Sequence, residues 1–432
     1  MSDLGLVEKD KRYTWHPFTQ EKTADAPLPV ISAKGAYLEL LGGHKVLDAI
    51  SSWWTNIHGH GHPKLAEGIG AQVSKLDHVL FAGCTHEGAA EVSKRLVEIS
   101  PEGLNRVFFS DNGSTAVEVA LKMAFQYWQN RGNKKRNRFL AFEGAYHGDT
   151  VGAMSAGDPG EFGEPFKPLF FPVERLSAPR IDGPEEEYAT AIKNLDAILE
   201  KHGDELAAVI IEPMVQGAGG MRMHSAEFLK TLATKVQERG ILLITDEVMT
   251  GFGRTGKMFA VEHAQVTPDI MCVAKGLTGG ILPLSATLAT DAIYEAFLDQ
   301  DVRRAFLHGH SFTANPIACA AALASLQIFE DEPVFERISQ IENVYRERFP
   351  GLEKYSQVQS TRILGSIGVV ELSGEGGYFN NIGLTLRRAF HKAGFLVRPL
   401  GTVVYTLPPY ITDPADLHRL YDHFEELLQT GL

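Results

Sequence analysis

Cysteine is scarce: Cys84, Cys272 and Cys319 are the only three in 432 residues. No two lie close together and the total is odd, so neither a disulfide framework nor a zinc knuckle can be assembled from them. That usage suits a reducing cytosol. No run reaches the 18 apolar residues that would suggest a membrane span. The opening MSDLGLVEKDKRYTW lacks the apolar core of a signal peptide, and a cytoplasmic location with no membrane partner is expected. Basic charge is in deficit as well, 41 Lys and Arg against 54 Asp and Glu for a formal charge of −13. A nucleic-acid-binding surface would show the reverse. The longest basic run, Lys134-Lys135-Arg136, reads as a solvated helix end. Neither a GxSxG elbow nor an HExxH helix occurs, so hydrolase chemistry has no anchor.

What is present is an ordinary globular balance, 44% apolar and 22% charged residues. The length exceeds one typical core and implies two domains or one large domain with appendages. After about residue 100, short β-rich runs alternate with amphipathic helical stretches. Strands are predicted at Arg106–Ser110, Arg138–Phe142, Ala207–Glu212, Ile241–Asp246 and Ile270–Ala274. Several are apolar throughout, as in a parallel sheet buried on both faces. The best helix is Ser114–Trp128, in which Val117, Ala120, Leu121, Ala124, Phe125 and Trp128 recur on one face. The fold class is therefore α/β with a mainly parallel sheet. Farther on, a charged helix at Val334–Phe349, strands at Ile367–Leu372 and Val403–Leu407 and a helix near Leu384–Ala393 suggest a smaller α+β domain. The expected division is 1–50 as a segment packing with the small domain, 51–325 as the large domain and 326–432 as the small one.

Two motifs promise more than they carry. Gly251-Phe-Gly253-Arg-Thr-Gly256 matches GxGxxG after a strand, but a poor crossover helix follows. Lys275 stands where a ribose-binding acid belongs. Extended to Lys257 the stretch approaches a P-loop, except that Met258 replaces the magnesium-binding hydroxyl. His58, His60 and His62 alternate with glycine, yet no cluster elsewhere completes a metal shell. A polar turn before the helix at Pro63 is the simpler reading, and no metal is expected.

The chemistry lies at strand ends. Asp246 closes one apolar strand and Lys275 follows the next, and ligands in open α/β sheets bind at the carboxyl ends of strands. Alone, the pair could equally be a buried ion pair. Ser110-Asp111-Asn112-Gly113-Ser114-Thr115 adds a third element, joining a strand to the best helix. Its free N–H groups and dipole suit a phosphate, with Gly113 allowing close approach, although an ordinary N-cap is the commoner use of such a turn. A phosphate cradle, an aspartate and a lysine together describe pyridoxal-phosphate binding: the lysine forms a Schiff base and the aspartate keeps the pyridine nitrogen protonated.

The segments EPMVQGAGGM, ITDEVMTGFGRTG, DIMCVAKGLTGG and HGHSFTANPIACA resemble the class III, or ω-amino-acid type, aminotransferases, and the likeness runs over essentially the whole chain. More narrowly, WHPFTQ, SSWWTNIHGHGHP, EGAYHGDTVGAMS and RPLGTVVYTLPPY resemble the branch that converts 8-amino-7-oxononanoate to 7,8-diaminononanoate in biotin biosynthesis. The resemblance implies a fold-type I transferase, pyridoxal 5'-phosphate as cofactor, S-adenosylmethionine as donor and a homodimer with shared active sites. By the same route Lys275 carries the cofactor and moves the proton, and Asp246 pairs with the ring nitrogen. Tyr146 stacks on the ring, while Gly113 and Ser114 bind the phosphate. Ser311 matches a position, usually threonine, that reaches the phosphate from the neighbouring subunit. Trp53 and Trp54 wall a channel for the aliphatic acid and Arg398 takes its carboxylate; without the resemblance they would read as core tryptophans and a surface arginine. Adjacent tryptophans point different ways, so one of the two is expected outside the core. Arg254 is expected as a general pocket residue.

One position departs from the pattern. Phe18 stands in WHPFT where the family usually reads HPYT, which removes a hydroxyl near the substrate amine. A net hydrogen bond is worth about 0.5–1.5 kcal/mol, so a modest penalty or an altered donor preference is expected. Two other functions compete: a class III enzyme acting on ornithine, 4-aminobutyrate or a similar ω-amine, and a non-catalytic cofactor-sensing regulator. The regulator needs a DNA-binding domain, for which residues 1–50 have neither the length nor the basic helix.

Overall fold

The computed structural model describes residues 5–158, 160–374 and 381–431. Near the N-terminus β1 (Val30–Lys34), β2 (Tyr37–Leu40) and β3 (Lys45–Asp48) form an antiparallel meander. The central sheet then collects β4 (Leu104–Ser110), β5 (Arg138–Phe142), β6 (Glu174–Leu176) and β7 (Leu206–Ile211). A short ladder of β8 (Val215–Gln216) and β9 (Arg222–Met223) intervenes before β10 (Leu242–Asp246), β11 (Ile270–Val273) and β12 (Ser285–Thr290) complete it. Its order is β4-β12-β11-β10-β7-β5-β6, and only β12 runs against the others. This is the mainly parallel sheet that the apolar runs predict.

Period-two alternation assigns the faces of that sheet. Val209, Ile211 and Leu243 pack with Leu195, Leu199, Leu229 and Leu232 of the helices Glu185–His202 and Ala226–Gln237. Ala208, Ile210 and Ile244 face the other way, onto Val117, Ala120 and Ala124 of the helix Gly113–Asn130. Because both faces are covered, every residue of β7, β10 and β11 is buried. The predicted helix face holds except at its far end, where Phe125 is 40% exposed. The helix is covered over a broader arc instead, through Ala116, Val119, Met123 and Tyr127.

Toward the C-terminus, β13 (Val358–Leu364), β14 (Ile367–Leu372) and, beyond β15 (Phe395–Leu396), β16 (Val403–Thr406) make an antiparallel sheet in the order β13-β14-β16. The helices Val334–Leu352 and Pro414–Thr430 share a core with it through Tyr345, Phe349, Tyr421 and Phe424. β15 itself pairs in parallel with β3, Phe395 against Leu47, and so joins the two ends of the chain. No helix among the described residues is long and apolar enough to cross a membrane.

Candidate active site

All the parallel strands that matter end at one edge. β4 leads into Gly113, β5 into Tyr146, β7 into Glu212, β10 ends on Asp246 and β11 leads into Lys275. These residues line a cavity of about 630 Å³ together with Ser114, Thr150 and Trp54. A second cavity of about 410 Å³ shares Trp54, Tyr146, His147 and Lys275 with the first and continues past Phe18, Trp53, Phe162 and Arg398. Nine of the eleven expected site residues therefore meet in one connected space. The exceptions are Ser311, exposed on a loop outside both cavities, and Arg254, which lines neither.

Lys275 is half-buried on the cavity wall, and the loss of solvent around its amine pulls its pKa down to about 8 against the opposing pull of Asp246 and Glu212, with Arg254 adding to the depression. Its Nζ lies 4.7 Å from the centroid of the Trp54 ring. Asp246 accepts from the backbone N–H of Val248 at 3.0 Å and meets His147 Nδ1 at 2.7 Å. Burial opposes protonation of His147, but the hydrogen bond and charge of Asp246 outweigh it and raise the pKa. Glu212 accepts from the N–H groups of Tyr146 (3.0 Å) and Gly217 (2.9 Å), and burial lifts its pKa to about 7. The Tyr146 hydroxyl donates to Asp149 at 3.0 Å. Neither His147 nor Glu212 is singled out by the sequence reading, although both lie in segments that carry the resemblance and Glu212 closes an apolar run. The available signal is indirect, since a carboxylate buried at a strand end requires a partner.

The N-terminus of the helix Gly113–Asn130 faces the same cavity. Asn112 caps it by accepting from Thr115 N at 3.1 Å, and the first backbone bond runs from Ala116 N to Asn112 O. The N–H groups of Gly113 and Ser114 precede that bond and have no intrahelical acceptor. A Cβ on Gly113 would stand 2.6 Å from Val248 Cγ1, and one on Gly148, at φ +124°, 1.9 Å from Ser114 Oγ. Both glycines keep the cradle open. Thr150 Oγ1, buried beside it, has no partner among the described residues. Free amides, an unpaired hydroxyl, a buried carboxylate and a half-buried amine make a donor set that fits a phosphorylated, aldehyde-bearing pyridine.

The tryptophans occupy an unusual backbone. Residues 51–54 all have positive φ, from 45° to 75°, which forms one left-handed turn without a glycine. For L-residues such a conformation costs on the order of 1–2 kcal/mol per residue. Trp54 is buried and donates from Nε1 to the Tyr405 hydroxyl at 3.0 Å, whereas Trp53 is 38% exposed. The Trp53 ring lies 5.5 Å from Phe18 and 4.4 Å from the Arg398 guanidinium carbon. Arg254, expected in the pocket, is instead buried behind it. Its guanidinium donates to the carbonyls of Pro408 (2.9 Å) and Trp54 (3.2 Å) and stacks near Tyr410.

The three histidines of HGHGHP go separate ways. His58 meets Ser325 Oγ, His60 meets Asp48 and His62 meets Glu332, at 3.0, 2.9 and 3.1 Å. Among the described residues no cluster of three or more His, Cys, Asp or Glu could hold a metal ion.

Comparison with known proteins agrees with this geometry. The family described as aminotransferase class-III matches residues 19–428. An adenosylmethionine-8-amino-7-oxononanoate aminotransferase of Synechococcus elongatus is 50% identical over 96% of this chain and 98% of its own. A protein of the same name from Geobacter sulfurreducens is 40% identical over 98% and 97%. Among solved structures, the adenosylmethionine-8-amino-7-oxononanoate aminotransferase of Methanocaldococcus jannaschii superposes with a TM-score of 0.92 at 36% identity, covering 98% of each chain. A PLP-bound amine transaminase from an uncultivated Pseudomonas species does so at 0.89 and 31%, covering 97% of this chain and 98% of that one. With a match this long and identities this high, the chain belongs to the class III aminotransferases.

Proposed function

We propose that this protein transfers an amino group to the 7-keto carbon of 8-amino-7-oxononanoate, giving 7,8-diaminononanoate for biotin biosynthesis, with pyridoxal 5'-phosphate as cofactor and S-adenosylmethionine as donor. The observation that carries the reading is one connected space in which a half-buried amine, a buried carboxylate and a helix N-terminus open onto an aromatic channel with Arg398 on its wall. The names of two similar relatives, both adenosylmethionine-8-amino-7-oxononanoate aminotransferases, support the same choice of substrates.

Gly113, Ser114, Asp246, Tyr146 and Lys275 would hold the cofactor, which when bound supplies an aldehyde to carry the amine and a ring to withdraw electrons. In this reading the Gly113 and Ser114 N–H groups neutralise the phosphate. Asp246, braced by His147, offers a fixed negative charge to the ring nitrogen. Tyr146, on the cavity wall, would close one face of the ring, and Trp54 borders the approach to Lys275. Lys275 Nζ takes the proton from the amine-bearing carbon of the donor and delivers one to C7 of the acceptor. A base with a pKa near 8 suits both duties at neutral pH, because it neither holds nor refuses the proton strongly. Arg398 grips the far carboxylate through parallel hydrogen bonds, and Trp53 with Phe18 sheathes the methylene chain. The working unit is a homodimer, with Ser311 of each copy completing the phosphate site of the other.

The test is direct. Holoenzyme is supplied with 8-amino-7-oxononanoate and, separately, S-adenosylmethionine, lysine or ornithine. Formation of 7,8-diaminononanoate fastest with S-adenosylmethionine, with parallel double-reciprocal lines, is expected. Faster turnover with lysine would reassign the donor, in keeping with Phe18. Failure of every donor to aminate this acceptor would overturn the reading.

A further inference from the structure

The left-handed turn at residues 51–54 is held from outside. Asp48, completely buried at the end of β3, accepts from Ser52 N at 2.8 Å and Ser52 Oγ at 2.6 Å, and meets His60 Nε2 at 2.9 Å. His60 is fixed in turn, its Nδ1 lying 3.2 Å from Asn56 Nδ2 and its backbone bridged to Gly35. Ser51 Oγ donates to Leu407 O at 2.7 Å. A backbone in a sparsely populated region persists only when its surroundings over-determine it, and such places cluster where function needs a particular aim. The aim here is visible. One tryptophan is directed to Arg398 and Phe18, the other to Lys275. The same four residues in a right-handed turn would rotate in the opposite sense and could not present both rings to these partners.

We propose that Asp48, oriented by His60, is a positioning residue for the acceptor: it touches neither substrate nor reacting atoms, but holds the left-handed turn that sets Trp53 and Trp54 as channel walls. This rests on the reading of that channel given under Proposed function.

The experiment compares holoenzymes of the natural protein, Asp48→Ala, Asp48→Ala with Ser52→Gly, Trp53→Ala, and Asp48→Ala with Trp53→Ala, varying 8-amino-7-oxononanoate. Loss of hydrogen bonds to a charged group should raise the acceptor KM of Asp48→Ala roughly tenfold or more, and by a larger factor than kcat falls. Glycine enters left-handed backbone without strain, so Ser52→Gly should recover most of that loss. Because Asp48 acts through the tryptophans, Asp48→Ala should raise the acceptor KM by a smaller factor in the Trp53→Ala background than in the natural protein. An unchanged KM in Asp48→Ala, no recovery with glycine, or penalties that multiply in the double variant would each overturn the proposal. Should Asp48→Ala not fold, Asp48→Asn carries the same comparisons. A natural enzyme unable to aminate the acceptor would instead sink the functional reading and is scored separately.

Discussion

At the scale of single residues, burial decides what Lys275 can do. A lysine in water titrates near ~10.4, whereas burial brings this one to about 8. Removing solvent disfavours the charged form, so the neutral, nucleophilic amine is available above pH 8 and is lost as pH falls below it. Apoenzyme mixed with pyridoxal 5'-phosphate should therefore capture it at a rate that rises with pH and levels off just above 8, followed by visible absorbance. A rate still climbing at pH 10 would mean an ordinary, solvated lysine, and Lys275→Ala should show no capture. Lys275 and Asp246 are legible from sequence because each terminates an apolar run, and such runs must be buried strands. Glu212 closes the apolar run Ala207–Glu212 in the same way, without a partner in the sequence to give it a role, and His147 lies in a loop where neither pattern nor spacing marks it. Only the buried aspartate's need for a partner, seen in three dimensions, assigns His147 a role.

Elements carry the next level of argument. The helix Gly113–Asn130 brings its N-terminus against the segment after β10, where Val248 N holds Asp246 Oδ1. Gly113→Ala places a methyl group 2.6 Å from Val248 Cγ1, so Val248 has to give way and the aspartate moves with it. Overpacking of this kind costs roughly 1–3 kcal/mol. Titration of apoenzyme with pyridoxal 5'-phosphate should show affinity weakened at least fivefold, with a drop in Tm of only a few degrees. Unaltered affinity would mean that the cradle does not grip the cofactor here. The strands and helices of this layer are readable because local pattern and tertiary burial agree. The left-handed turn is different. Ser51-Ser52-Trp53-Trp54 contains no glycine or asparagine to signal positive φ. Its supports, Asp48, Leu407, Arg254 and Tyr405, come from positions up to 356 residues away. Arg254 reads from sequence only as a general pocket residue, whereas in the structure it clamps the backbone carbonyls of Trp54 and Pro408.

The whole molecule poses the question of copies. Within one chain Ser311 lies outside the cavities, on a segment where Leu307 and Phe312 are 72% and 61% exposed. Apolar surface of that kind on the loop bearing a proposed phosphate ligand is what a partner subunit would cover. If each site is completed by the other copy, two crippled proteins can repair one another. Lys275→Ala lacks the amine, and Ser311→Asp sets a negative charge against the phosphate; each alone should be nearly inactive. In a mixed dimer the intact lysine of one chain meets the intact serine of the other, restoring one of two sites. Random exchange of equal amounts makes half the dimers mixed, so about a quarter of natural activity should return. If Ser311 served its own chain, neither site of the mixed dimer would be whole and no activity would appear. The measurement is activity against time after mixing, with subunit exchange followed by mass. Complete exchange without recovery would place the shared-site reading, and the dimer that depends on it, in error.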